Sequence, residues 1–68
     1  MIILLNGTEH DVPADATVAG VVAALQDIVD GRGVAVAVGG EVVPRTAWSQ
    51  TPLAEGAKVE VVSAVQGG

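Results

Sequence analysis

The chain has 68 residues and a formal net charge of −5, so it holds one small domain and lacks the basic stripe typical of a nucleic-acid binder. It has no cysteine and one histidine, which excludes disulfides, thiolate catalysis and zinc sites built from cysteine or several histidines. No apolar run approaches the roughly 18 residues that cross a bilayer, and no basic leader precedes the first apolar residues, so we expect a cytoplasmic protein without a membrane partner.

The first predicted element is a β-hairpin. Residues 1–5 are apolar and are followed by Asn6-Gly7, a dipeptide that fits the two positive-φ positions of a type I′ turn. The polar residues 8–12 then predict a partner strand at a sheet edge, where charge discourages further pairing. Because the first strand is apolar on both faces, it suits the middle of a sheet.

The second predicted element is an amphipathic helix that begins at Thr17, whose hydroxyl can cap the first turn. Apolar side chains at helical spacing predict one continuous buried stripe, formed by Val18, Val21, Val22, Leu25, Ile28 and Val29. The opposite face carries Ala23, Gln26, Asp27 and Asp30. The segment Gly31-Arg32-Gly33 predicts the end of the helix.

A second pair of strands is predicted after the helix. Residues 34–38 alternate Val and Ala, which indicates a strand with one face toward the core. Gly39-Gly40 predicts a tight turn into a short strand over residues 41–43, which Pro44 ends.

The last part of the chain predicts a short irregular segment and one long strand. Residues 45–50 are expected to be irregular or one turn of 3₁₀ helix, with Leu53 packed on the core. After a turn at Glu55-Gly56, residues 58–65 predict the longest strand. The order β-β-α-β-β-β predicts an α+β fold, a β-grasp with one helix across one face of a mixed sheet. The first and last strands would lie side by side in the middle of the sheet. We expect a single domain of residues 1–65 with a flexible tail of residues 66–68.

The sequence offers only weak candidates for a group of catalytic residues. Ser49 and Ser63 have no plausible histidine and acid partners. Glu9 and Asp11 share one face of a polar strand, which is more typical of a solvated acidic edge than of an acid/base pair. Gly31-Arg32-Gly33 and Gly39-Gly40 are not followed by the helix and the lysine that a phosphate-binding loop needs. We therefore expect a protein that is not an enzyme and that holds no metal.

The C-terminal residues Gln66-Gly67-Gly68 are the strongest functional signal. Glycine weakens regular structure, so a core gives no reason for two glycines at this place. A tail without side chains is narrow enough to enter a closed active site of another protein, where the carboxylate of Gly68 would be the reacting group.

Taken together, these features resemble the ThiS family, the sulfur carriers of thiamine-thiazole synthesis in the ubiquitin-like β-grasp superfamily. The resemblance covers the whole chain and includes residues 3–7, Thr17-Val18, Leu25, residues 36–38, Val42-Val43-Pro44-Arg45, Trp48, Leu53, Glu55-Gly56 and Gly67-Gly68. The Val-Pro-Arg…Trp segment separates this family from the related molybdopterin-synthase subunit. Gly20 and Gln66 depart from what is common in the family.

The resemblance implies a mechanism that ends at Gly68. An E1-like adenylyltransferase of the ThiF type would use ATP to convert the carboxylate into an acyl-adenylate, and a sulfur donor system would then form the thiocarboxylate. Thiazole synthase of the ThiG type would accept that sulfur. The carrier itself would bind no cofactor, and ATP would be used by its partner.

A docking surface is predicted on the face of the sheet away from the helix. If Val59, Val61 and Val65 face the helix, then Leu4, Val62 and Ala64 form a small apolar patch beside the tail, although central strands of small sheets also carry exposed valines without function. Two alternatives stay open: a ubiquitin-like binding or conjugation module, and a sulfur carrier of another pathway such as molybdopterin synthesis. Trp48 is expected to pack in the core and His10 to be a solvated edge residue.

Overall fold

The computed structural model of the protein describes residues 1–25 and 33–63. Their elements are the strands β1 (Ile2–Leu5), β2 (Thr8–Asp11), β3 (Val34–Val38), β4 (Glu41–Val43) and β5 (Lys58–Ser63), the helix α1 (Val18–Ala24) and a 3₁₀ helix (Arg45–Gln50). The strands form one sheet in the order β2-β1-β5-β3-β4.

The sheet is mixed and has the predicted arrangement. β1 and β5 run parallel side by side, with Leu4 opposite Lys58 and Leu5 opposite Val59. The other neighbours pair antiparallel, and the polar β2 forms one edge while the three-residue β4 forms the other. This confirms the α+β β-grasp fold, because a hairpin, a crossing helix and a central last strand occur in the expected places.

One apolar core joins the sheet to the helix. Alternation along each strand sends every second side chain to the helix side, so Ile3 and Leu5 of β1 meet the buried face of α1. The buried residues of the described chain are Ile3, Leu5, Val18, Val21, Val22, Val36, Trp48, Leu53 and Val59. The core of the described chain is therefore built mainly from valine.

The helix begins where predicted and is shorter than predicted. Thr17 has an extended backbone, and its hydroxyl oxygen accepts a hydrogen bond from the Gly20 N–H at 3.2 Å. The helix ends at Ala24, because the backbone of Leu25 is extended and its N–H closes a tight last turn on the Val22 carbonyl at 3.1 Å. Hydrophobic periodicity shows which side chains face a core and does not fix where the last turn closes. The other predicted helix residues, Gln26, Asp27, Ile28, Val29 and Asp30, and the predicted helix end at Gly31 and Arg32 lie outside the described part of the chain.

The segment between β4 and β5 is tied to the start of α1. The 3₁₀ helix buries Trp48, and its end connects to the helix through Val18 N–H to Thr51 O and Leu53 N–H to Ala16 O, both at 3.0 Å. Leu53 is buried, which confirms the prediction that it packs on the core.

Candidate functional site at the end of the central strand

The strand β5 leads toward the C-terminus, and more of its residues pair with β3 on one side than with β1 on the other. On the β3 side the pairing covers residues 59–63 of β5, from Val38 opposite Val59 to Val34 opposite Ser63. On the β1 side the strand pairing stops at Val59. The last four residues of β5 consequently have a neighbouring strand on one side only.

On the β1 side, the side chain of Asn6 bonds β5 beyond the point where β1 stops pairing. Its backbone N–H donates to the Val59 carbonyl at 2.9 Å. Its Oδ1 then accepts from the Val61 N–H at 2.9 Å, and its Nδ2 donates to the Val61 carbonyl at 3.2 Å. The amide thus satisfies the two backbone groups that a longer β1 would bond. We call this pair of side-chain hydrogen bonds the Asn6 clamp.

The same residue opens the turn between β1 and β2. Asn6 has φ +51° and Gly7 has φ +84°, as a type I′ turn requires. Asparagine tolerates the left-handed region better than most residues. Its backbone therefore makes the turn while its side chain faces β5. The sequence indicated the first role and gave no signal of the second.

The sheet face away from the helix carries an apolar patch near this end of β5. The register places Val62 opposite Ala35, Glu60 opposite Ala37, and Ala37 opposite Val42. Val42 is 74% exposed and Val62 is 60% exposed, the two large hydrophobic residues that are exposed in the described chain. We call the group Ala35, Ala37, Val42 and Val62 the outer patch.

The predicted docking residues only partly come together. Leu4 lies on the same face as Val62 and is half-buried. The register pairs Leu4 with Lys58, so it lies four residues along β5 from Val62, about 13 Å away at strand spacing. Ala64 and the tail residues Gln66, Gly67 and Gly68 lie outside the described part. The contributions of β3 and β4 to the patch were not predicted, although the outward alanines of the alternating run 34–38 were a signal for them.

The other residues singled out in the sequence take ordinary places on the surface or in the core. Glu9, His10 and Asp11 are exposed on the edge strand β2. Trp48 is buried and its Nε1–H donates to the Val43 carbonyl at 2.9 Å. Arg45 is exposed at the start of the 3₁₀ helix. None of these positions resembles a catalytic constellation.

A groove of about 590 Å³ lies between α1 and the β1–β2 hairpin. Its walls include Leu5, Val21 and Leu25, and the exposed His10 and Asp15 also line it. In residues 1–25 and 33–62 no polar or charged side chain is buried. The groove therefore lacks the desolvated titratable groups that an active site uses.

Within residues 1–25 and 33–63 no three His, Asp or Glu side chains are placed to hold a metal ion. No helix in that part of the chain is long and apolar enough to cross a membrane.

The sheet order, the helix across one face and a central last strand define a ubiquitin-like β-grasp protein. The model of the ThiS family matches residues 3–68, and the chain belongs to that family. This confirms the resemblance seen in the sequence.

One solved structure supports the same assignment. The crystal structure of the thiamine biosynthesis protein (ThiS) from Geobacter metallireducens is 28% identical, covers 100% of both chains and superposes with a TM-score of 0.81. Among curated proteins no match is found.

Proposed function

We propose that this protein is a sulfur carrier of thiamine biosynthesis that carries sulfur as a thiocarboxylate on Gly68 and is not itself a catalyst. The observation that carries the proposal is the family match, which runs through residue 68 and so includes Gly67-Gly68. The similar structure from Geobacter metallireducens, a thiamine biosynthesis protein over its full length, supports the same pathway.

The proposed chemistry takes place at the terminal carboxylate. A carboxylate oxygen attacks the α-phosphorus of ATP and pyrophosphate leaves, which gives an acyl-adenylate. Hydrosulfide supplied by the donor system then attacks the carbonyl carbon, the carbon–oxygen bond to AMP breaks, and loss of the proton on sulfur leaves a thiocarboxylate. An activating enzyme of the ThiF type would bind the ATP, and a thiazole synthase of the ThiG type would accept the sulfur. The absence of cysteine supports the terminus as the carrying group, because no side-chain thiol is available.

The geometry of β5 supports delivery of this carboxylate into another protein. Five residues follow Ser63, the end of β5, and a chain of five residues spans at most about 17 Å when extended. A tail of Gln66, Gly67 and Gly68 at that distance can enter a narrow active site while the domain stays outside. The missing Cβ of glycine leaves the carbonyl carbon accessible to a nucleophile.

The proposed docking surface is the outer patch. Its exposed residues Val42 and Val62 bury apolar area when a partner covers them. The net charge of −5 suits a partner surface with basic residues around an apolar centre.

The first test is the intact mass after incubation with ATP, a sulfur donor and the ThiF-type enzyme. We expect a gain equal to the replacement of one oxygen by sulfur, and no gain in a variant that lacks Gly68. An unchanged mass, with an enzyme that is active on another carrier, would refute the proposal. If the thiocarboxylate forms but a thiazole synthase does not accept the sulfur, a carrier of another pathway is favoured. Conjugation to other proteins would favour the ubiquitin-like modifier.

The second test concerns docking. Val62→Asp and Val42→Asp should each raise KM for the carrier in ATP-dependent pyrophosphate release by about tenfold, because a charge is buried against the partner. Ala54→Asp adds the same charge at an exposed loop position and is the matched control. Equal KM values for all three variants would exclude the outer patch as the docking surface.

A further inference from the structure

We propose that Asn6 is a positioning residue, whose clamp holds the end of β5 and so fixes where and in which direction the tail leaves the sheet. The inference rests on the proposed function for its consequence and on the described contacts for its structural part. No functional role of Asn6 is implied by its place in the turn, since Gly7 and a positive φ at residue 6 suffice for that.

The first step is the location of the clamp. It binds both backbone groups of Val61 on the side where β1 no longer pairs. Val61 lies two residues before Ser63, the last residue of β5. With the clamp, β5 has hydrogen-bond partners on both sides up to Val61. Without it, only β3 would hold residues 60–63.

The second step concerns what the clamp contributes. Both hydrogen bonds are solvent-exposed, so water can replace them without leaving a buried polar group unsatisfied. Their removal should therefore cost little global stability. Its main effect should be local, since strand ends with few partners open more readily than the rest of a domain.

The third step concerns the choice of residue. A primary amide offers one acceptor and one donor, which match the Val61 N–H and carbonyl. Aspartate would keep the acceptor and place a second oxygen against the Val61 carbonyl. Glycine would keep the positive φ of the turn and remove the side chain. Asn6→Gly and Asn6→Asp therefore separate the clamp from the turn.

The consequence for the carrier is that the end of β5 is held less firmly when the clamp is lost. With β3 alone holding residues 60–63, this end of the strand opens more readily, and ordering it again when the carboxylate enters a partner active site costs affinity. The reacting carboxylate itself is unchanged. KM for the carrier should therefore rise while kcat stays the same.

The experiment compares wild type, Asn6→Gly, Asn6→Asp and the control Val22→Ala in ATP-dependent pyrophosphate release with the ThiF-type enzyme. Val22 is buried in α1, so its truncation lowers global stability without touching the clamp. At a temperature where circular dichroism shows every variant folded, we expect KM to rise about three- to tenfold for both Asn6 variants, as for a few newly ordered residues. Val22→Ala should keep the wild-type KM although its Tm is lower.

An enzyme-independent measurement accompanies the kinetics. Amide hydrogen exchange of Val61 should accelerate at least tenfold in Asn6→Gly, while exchange of Val36 in β3 changes only as far as global stability does. Unchanged exchange at Val61, or a rise in KM that Val22→Ala shares, would overturn the inference. If wild type is not adenylated at all, the proposed function fails, and the exchange of Val61 still decides whether Asn6 holds the strand.

Discussion

The buried side chain of Trp48 gives the sharpest stability prediction. The chain has no Phe or Tyr and one Trp, and this Trp is 6% exposed with its indole N–H bonded to the Val43 carbonyl at 2.9 Å. Trp48→Phe keeps much of the apolar contact but removes the donor, which should cost about 1–2 kcal/mol. At about 4–8 °C per kcal/mol for a domain of this size, Tm should fall by about 5–15 °C.

Trp48→Ala should be far more severe. Truncation of a buried tryptophan costs about 3–5 kcal/mol, and the free energy of unfolding expected for 68 residues is only about 3–10 kcal/mol. The alanine variant should thus lose about a third or more of the wild-type free energy of unfolding. Urea and thermal unfolding should be followed by far-UV circular dichroism, because both substitutions remove the fluorophore.

Two results would contradict this reasoning. A Phe variant as stable as wild type would mean that water replaces the indole on the Val43 carbonyl at no cost. An Ala variant that loses less than about 1 kcal/mol would mean that the 3₁₀ helix contributes little to the core. Val42→Ala, at a 74% exposed position, is the control for a substitution outside the core.

Three further substitutions test single features of the fold by urea unfolding. Val36→Ala should cost about 2 kcal/mol, because Val36 is 1% exposed, whereas Val42→Ala should stay within about 0.5 kcal/mol; equal costs would contradict the assigned sheet faces. Thr17→Ala should lose about 1 kcal/mol with the hydrogen bond to the Gly20 N–H, and Thr17→Ser should restore it; failure of the serine to do so would exclude capping as the cause. Gly40→Ala should cost about 1–2 kcal/mol through backbone strain alone, since φ is +87° and no atom lies within 4 Å of the added Cβ; a neutral result would mean that the turn can relax.

Much of the fold could be predicted because its signals are local. The Val-Ala alternation of residues 34–38, the turn at Gly39-Gly40 and the cap at Thr17 each involve neighbouring residues, and all three are confirmed. The place of β2 at an edge followed from its charge. The prediction that Leu25 is helical was wrong, because the apolar spacing continues past Ala24 although the backbone of Leu25 is extended. The predicted helix end at Gly31 and Arg32 lies outside the described residues.

The site was harder to predict because its geometry depends on contacts between distant parts of the chain. The Asn6 clamp joins residues 55 positions apart, and nothing beside Asn6 in the sequence marks it. The offset between the parallel strands β1 and β5 is likewise not encoded in either strand alone. For this reason the pairing of Leu4 with Lys58, and so its separation from Val62, became visible only in the structure.

The central place of β5 also has a mechanical consequence. A partner that draws on the C-terminal end pulls along a strand that is bonded to β1 on one side and to β3 on the other. Such a pull loads the hydrogen bonds of both ladders in shear, so that many must break together, whereas a pull on the edge strand β4 could break its ladder to β3 one bond after another. The sheet order thus places the end on which partners would pull on an interior strand and not on an edge strand.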